Sequence, residues 1–269
     1  MRHLLFAVLA LTLAVPAIAA VSPPGVNIRW DNCFDDGGAT NKTFACDMNA
    51  GKETLVLSFV LDAPMTNVSG MEFILEIASA SSPFPAWWSF KNYGTCRLGS
   101  LEMALAPPVT MTNCLEWAPE AGQTGHFGYT IGYSNGTPAP DRAMIYGVSD
   151  APSPNTASLN AGDEYFVMSL VIDHSKTVGP SPCAGCSDPV CIVFQSLNIV
   201  TPVSGIHSKL INGAHGSDSQ IATWQSGSAT NVVTGCSPIG QCITTFDCTL
   251  ATPVQTRGST WGAVKSLYR

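Results

Sequence analysis

Apolar and polar residues alternate along much of this chain with a period of two. Met71, Phe73, Leu75 and Ile77 fall on one side of a segment whose other side carries Glu72 and Glu76. Phe127, Tyr129, Ile131 and Tyr133 alternate in the same way with Gly128, Thr130 and Gly132. Such a period marks a strand with one face buried. Denser apolar runs at 54–61, 143–148, 165–172 and 190–199 predict strands deep in a sheet, and 26–30 and 101–105 are weaker candidates. Turn-rich stretches such as Asp35-Asp36-Gly37-Gly38 and Asn160-Ala161-Gly162-Asp163 separate them. No long segment repeats at the helical period. Eight or nine strands with no helices to cover parallel crossovers predict an all-β fold, an antiparallel, jelly-roll-like β-sandwich.

The two ends of the chain read differently. Arg2 and His3 precede an apolar run from Leu4 to Val15, then Pro16 and the small residues Ala17, Ala19 and Ala20. A basic start, a short apolar stretch and small residues at the cut site predict a signal peptide over 1–20, and the run is too short for a membrane span, which needs about 20 apolar residues. The expected sandwich then covers 21–225. Residues 226–259, rich in Ser, Thr, Gly and Cys, read as an irregular appendage. At 260–269, Trp261, Val264, Leu267 and Tyr268 lie on one side of a short amphipathic segment, which reads as a docking helix or a recognition tail for secretion or attachment.

Composition agrees with export. Charged residues make up 12% of the chain, against a usual share of about 25%. Loss of Arg2 with the signal takes the net charge from −7 to −8. An acidic chain without a basic patch repels phosphate backbones, which excludes nucleic acid as the expected partner. All ten cysteines follow the signal, and an even count in an oxidising compartment reads as five bridges. Cys33 and Cys46 bracket a turn-rich loop, and Cys96 and Cys114 bracket one strand, so both pairs are expected to close locally. Cys183, Cys186 and Cys191 then face Cys236, Cys242 and Cys248. Three is odd, so at least one bridge must join the two groups.

The segments 53–61 and 68–77 resemble the opening strands of bacterial cohesin-like and carbohydrate-binding sandwiches, and 160–172 resembles a later strand of that type. The resemblance implies an extracellular binding or scaffolding protein and assigns no functional residue.

Each candidate site has a plainer alternative. Gly132-Tyr133-Ser134-Asn135-Gly136 matches the G-x-S-x-G pattern of a hydrolase elbow, which needs a helix after the serine. Thr137-Pro138-Ala139-Pro140 follows instead, and Asn-Gly predicts a hairpin turn. Glu72 and Glu76, four residues apart on one strand face, have backbones about 13 Å apart, while glycosidase carboxyl groups stand about 5–9.5 Å apart. Cys183-Ala184-Gly185-Cys186 lacks the following helix of a redox motif and the second Cys-x-x-Cys of a zinc site, so structural bridges are expected. Asp31, Asp35, Asp36 and Asp47 could gather around calcium, although acidic turn residues need no ion. His207 and His215 read as solvated loop residues.

Trp87 and Trp88, within an aromatic-dense segment from Phe84 to Tyr93, are the candidates for a sugar-stacking platform. Burial in the core is the competing expectation. No cofactor, metal or catalytic residue is expected. The sequence therefore points to a secreted, non-enzymatic binding, adhesion or cell-surface structural protein whose partner is an extracellular protein or polysaccharide. A carbohydrate-binding module and a glycoside hydrolase with carboxylates brought together by the fold are the alternatives.

Overall fold

The computed structural model describes residues 24–250, apart from 91–93, 109, 120–121, 135–136, 203–204, 211–212 and 237–241. The expected signal at 1–20 and the terminal segment at 260–269 lie outside the described residues.

The strands run in chain order as β1 (Gly25–Trp30), β2 (Asn41–Lys42), β3 (Lys52–Val60), β4 (Met65–Val68), β5 (Gly70–Ser79), β6 (Leu101–Ala104), β7 (Cys114–Glu116) and β8 (Thr124–Ser134). They continue as β9 (Thr137–Asp150), β10 (Ala157–Leu159), β11 (Glu164–Asp173), β12 (Val190–Thr201), β13 (Gly205–Leu210), β14 (Ile221–Trp224), β15 (Gly227–Cys236) and β16 (Cys242–Leu250). Every strand expected from alternation or from an apolar run is present. The additional strands are mostly short or hydroxyl-rich, and such residues carry little apolar signal.

Two sheets face each other. The smaller has the order β1-β3-β11-β6, with β7 also pairing β11. The larger runs β2-β14-β12-β5-β9-β8, with β13 also on β12. Pairing is antiparallel except β7 with β11 and β2 with β14. Between the sheets lies one apolar core built from the inward residues of both, including Ile28, Leu57, Phe59, Phe73, Leu75, Ile145, Leu170 and Phe194. Strands β3, β11 and β12 are buried along nearly their whole length because a second layer or a loop covers each face.

The stretch after β14 is not irregular. Strands β15 and β16 form a hairpin in which Gly227 pairs with Leu250 and Cys236 with Cys242. Its Thr, Val and Ile residues suit a pleated surface. The hairpin lies on the outside of the larger sheet, where Phe246, at 2% exposure, packs with Ala78, Cys191 and Val193.

Four disulfides join the described residues: Cys33–Cys114, Cys46–Cys186, Cys96–Cys183 and Cys191–Cys248. They are the bonds of a chain that matures in an oxidising compartment. The two local pairs expected from spacing do not form. The loop holding Cys33 sits beside β7, which carries Cys114, while Cys46 and Cys96 each reach the 183–186 loop. The expected link between the two cysteine groups is present as Cys191–Cys248, and it ties the hairpin to β12. No described helix is long and apolar enough to cross a membrane.

Candidate functional site

The aromatic segment is core. Pro85 leads into a single 3-10 turn, Ala86–Trp88, and both Trp87 and Trp88 are 0% exposed. Adjacent side chains point to opposite faces on a strand, but in this turn both enter the protein. The Trp87 ring stacks on Trp224 at 5.2 Å between centroids, and Trp88 stands edge-on to Trp224 at 5.7 Å. Buried indoles need an acceptor, and Trp87 Nε1 donates to Thr177 Oγ1 at 2.9 Å while Trp224 Nε1 donates to the Cys186 carbonyl at 2.7 Å. The Arg97 guanidinium lies 3.7 Å from the Trp87 ring centroid and donates to the Trp87 and Asp173 carbonyls. Burial pulls its pKa down to about 10, against the opposing pull of Asp173. Neither tryptophan can serve as a platform for an external sugar.

The other sequence candidates are dispersed into structural roles. Asp31 binds Lys42 Nζ at 2.8 Å, and Lys42 also reaches Glu53 at 2.7 Å. Asp36 accepts from the Thr112, Asn113 and Cys114 amides at 3.0–3.2 Å. Burial alone would push its carboxyl up, but these amides and the Thr112 hydroxyl outweigh it and hold it below the ordinary carboxylate range. Asp35 donates its backbone amide to Glu164 at 2.8 Å, and its carboxylate lies 4.0 Å from His215 Nε2. Asp31, Asp35 and Asp36 therefore serve three different partners, and no calcium cluster forms from them.

Cys183 and Cys186 bond to different partners, which removes both the redox and the zinc reading. Among the described residues, the grouping of Cys33, Cys114 and Glu164 has metal-like spacing, but its two sulfurs are bonded to each other. His215 is not solvated: its ring lies flat on Phe34 with centroids 3.6 Å apart, and its side chain is 15% exposed. The side chain of His207 lies outside the described residues. Ser134 ends β8 at the turn predicted there, and its hydroxyl donates to Glu76 Oε1 at 2.5 Å.

Two surfaces stand out among the described residues. The first is a shallow groove of about 530 Å³ at one end of the sandwich, lined by Leu115, Glu116, Trp117, Ala157 and Tyr165 among others. Several of its polar groups are already engaged. Gln123 Nε2 donates to Glu116 at 3.0 Å, the Asn160 amide donates to Tyr165 Oη at 2.8 Å, and Trp117 Nε1 donates to Ser149 Oγ at 3.3 Å.

The second is the outer face of the larger sheet, and it divides in two. At one end the β15–β16 hairpin covers Glu76, Ala78, Cys191 and Val193. Glu76, 2% exposed, pairs with Arg142 Nη1 at 2.7 Å and accepts from Gln195 Nε2 at 2.8 Å. Gln195 also donates to the Thr244 carbonyl at 2.6 Å and accepts from the Thr244 amide at 2.8 Å, so the polar cluster is satisfied from both layers. Glu76 cannot join Glu72 as a catalytic carboxylate, because it is sealed beneath the hairpin and bound to Arg142.

The other end is open. Tyr146, 41% exposed, stands opposite Ile74 on β5 and opposite Gly128 on β8. No heavy atom comes within 4 Å of where a Cβ on Gly128 would be, so the phenol ring is accessible along that flank. Glu72 lies in the next outward position of β5 and accepts from Asn198 Nδ2 at 3.3 Å. Burial first, then the charges of Glu72 and Asp150, push the Tyr146 phenol up, which keeps it a neutral hydroxyl. This hydroxyl has no hydrogen-bond partner among the described residues. An accessible ring, an unengaged hydroxyl, a carboxylate and an amide thus share one surface. Sequence reasoning placed 143–148 as a strand but did not single out Tyr146, because two buried residues flank it and only the pairing order shows which face is open.

Comparison with family models, curated proteins and solved structures gives no match.

Proposed function

We propose that this chain is a secreted, non-enzymatic binding protein of the extracellular or cell-surface space, and that its ligand sits on the open half of the larger sheet. The observation that carries this reading is the exposed Tyr146 ring beside Glu72 and Asn198. An aromatic face offers apolar contact to the C–H side of a sugar ring, and a carboxylate with an amide accepts and donates to its hydroxyls. The chemical class that fits is a neutral polysaccharide. The leader-like start and the disulfides support export, and the likeness of 53–61 and 68–77 to cohesin-like and carbohydrate-binding strands supports a role in binding.

A glycan array probed with the protein tests the reading. Binding to neutral glycans should fall at least tenfold in Tyr146→Ala, and less in Glu72→Gln, with the unfolding temperature unchanged. Glycan binding that survives Tyr146→Ala, or no glycan retained by the parent protein, would overturn it.

A further inference from the structure

We propose that β8 is the seam through which two copies of this chain pair, edge to edge and antiparallel, joining their larger sheets into one. The other ends of the two main sheets are guarded in the ways that natural sheets guard their edges. At β1, loops cover the outer backbone: the Ala214 amide donates to the Val26 carbonyl at 3.0 Å, and Trp30 and Ala39 exchange bonds at 2.8 and 3.0 Å. Strands β2 and β7 have two and three residues, and β6 has four and carries Glu102.

Among the described residues no loop backbone bonds β8, and the strand is not short. It is 11 residues long, holds no Lys, Arg, Asp, Glu or Pro, and pairs only with β9 among the described strands. A register shift between Ile131 and Tyr133 marks its far end, which leaves Thr124–Ile131 as a regular, pairable run.

The inward side chains of β8 are unevenly covered: Tyr129 is buried at 5% exposure, but the end of the row at Ile131 stops short of burial. On β9, Ala143 and Ile145 are 0% and 2% exposed, whereas on β8 Ile131 is only half-buried and Tyr133 is 48% exposed. One further strand would cover the inward row at Ile131.

The occupant must be uncharged and apolar at alternate positions, and β8 itself meets both conditions. In a two-fold antiparallel pairing centred on Gly128, residue 127 meets 129 of the other copy and 126 meets 130, so inward rows meet inward rows. The chain carries a net charge of −7, and repulsion between copies is least along an edge without carboxylates. A second β8 is already extended and held by β9, so it loses less conformational freedom on pairing than a disordered peptide would. The pairing would put both open faces on the same side, with the two β9 strands three strand spacings, about 14 Å, apart. That consequence rests on the proposed ligand surface; the pairing does not.

Sedimentation equilibrium of the full chain with its disulfides intact tests the seam. The parent protein should sediment at twice the chain mass. Ile131→Lys places a charge pointing inward at the edge, which a single copy tolerates because the ammonium can reach water past the half-covered row. This variant should sediment at the single-chain mass with an unchanged circular dichroism spectrum. Hydrogen exchange on the unmodified protein provides a second arm if the variant fails to fold: amides in 124–131 should lose protection on dilution while those of β12 keep it. A single-chain mass for the parent at every concentration, a dimer that persists in Ile131→Lys, or β8 exchange indifferent to dilution would overturn the proposal.

Discussion

The two halves of the larger sheet's outer face begin from similar sequence and end in different physical states. Glu72 and Glu76 occupy the same side of β5, four residues apart. Over Glu76 lies the hairpin, and the carboxylate is buried with Arg142 and Gln195 around it. Over Glu72 nothing among the described strands is laid, and the half-buried carboxylate shares its surface with Tyr146 and Asn198. The difference arises from what covers each residue and owes nothing to residue type. A buried carboxylate needs partners that replace water, and the hairpin supplies both the cover and, through the Thr244 backbone, the anchoring of the glutamine that binds it. On the uncovered half, water does this work and leaves the polar groups available.

The comparison can be broken most forcefully at the disulfide that secures the cover. Replacing Cys191 and Cys248 by Ser releases a loop of 57 residues, and the lost constraint on the unfolded chain is about 4 kcal/mol. The hairpin should then become cleavable by protease while 24–224 stays intact, as mass mapping of the fragments would show. Equal resistance with and without the bridge would mean that Phe246 and the Glu76 cluster hold the hairpin unaided.

A smaller effect is expected at the ion pair. Arg142→Met removes the partner of a buried carboxylate and should cost about 3 kcal/mol in denaturant unfolding. Adding Glu76→Gln should recover much of that loss, because the amide needs no counter-charge. If the double variant is no more stable than the single one, the pair is not the source of the cost. The smallest effect belongs to the open half: Tyr146→Ala should change stability by less than about 0.5 kcal/mol, as surface substitutions usually do. A large loss there would show that the ring packs instead of waiting for a ligand.

The strands themselves were largely legible. Alternation at Met71–Ile77 and Phe127–Tyr133 marks β5 and β8, and apolar runs mark β3, β9, β11 and β12, because one-sided or two-sided burial writes itself into residue order. The hairpin was missed for the converse reason: it buries little beyond Phe246, Thr244 and their neighbours, so its sequence carries almost no period. The candidate site was barely legible. Tyr146 has no sequence signature that separates it from Ile145, and Trp87 and Trp88 look exposable until the 3-10 turn and the 183–186 loop are seen to close over them.

By itself, the order of residues determined the all-β class, the positions of the long strands, the use of cysteines as bridges and the chain reversal between β8 and β9. Each of these follows from local chemistry or from counting. Tertiary structure alone decided which cysteines meet, which tryptophans are buried and which half of a sheet face stays open. A disulfide requires Cα atoms within about 4.4–6.8 Å, and the Cα atoms of Cys33 and Cys114 stand 6.1 Å apart across 81 residues of chain. That proximity is made by β7 joining β11 beside the Cys33 loop. Contacts between residues so distant in sequence depend on sheet order, and sheet order is a property of the whole chain's packing that no local pattern encodes.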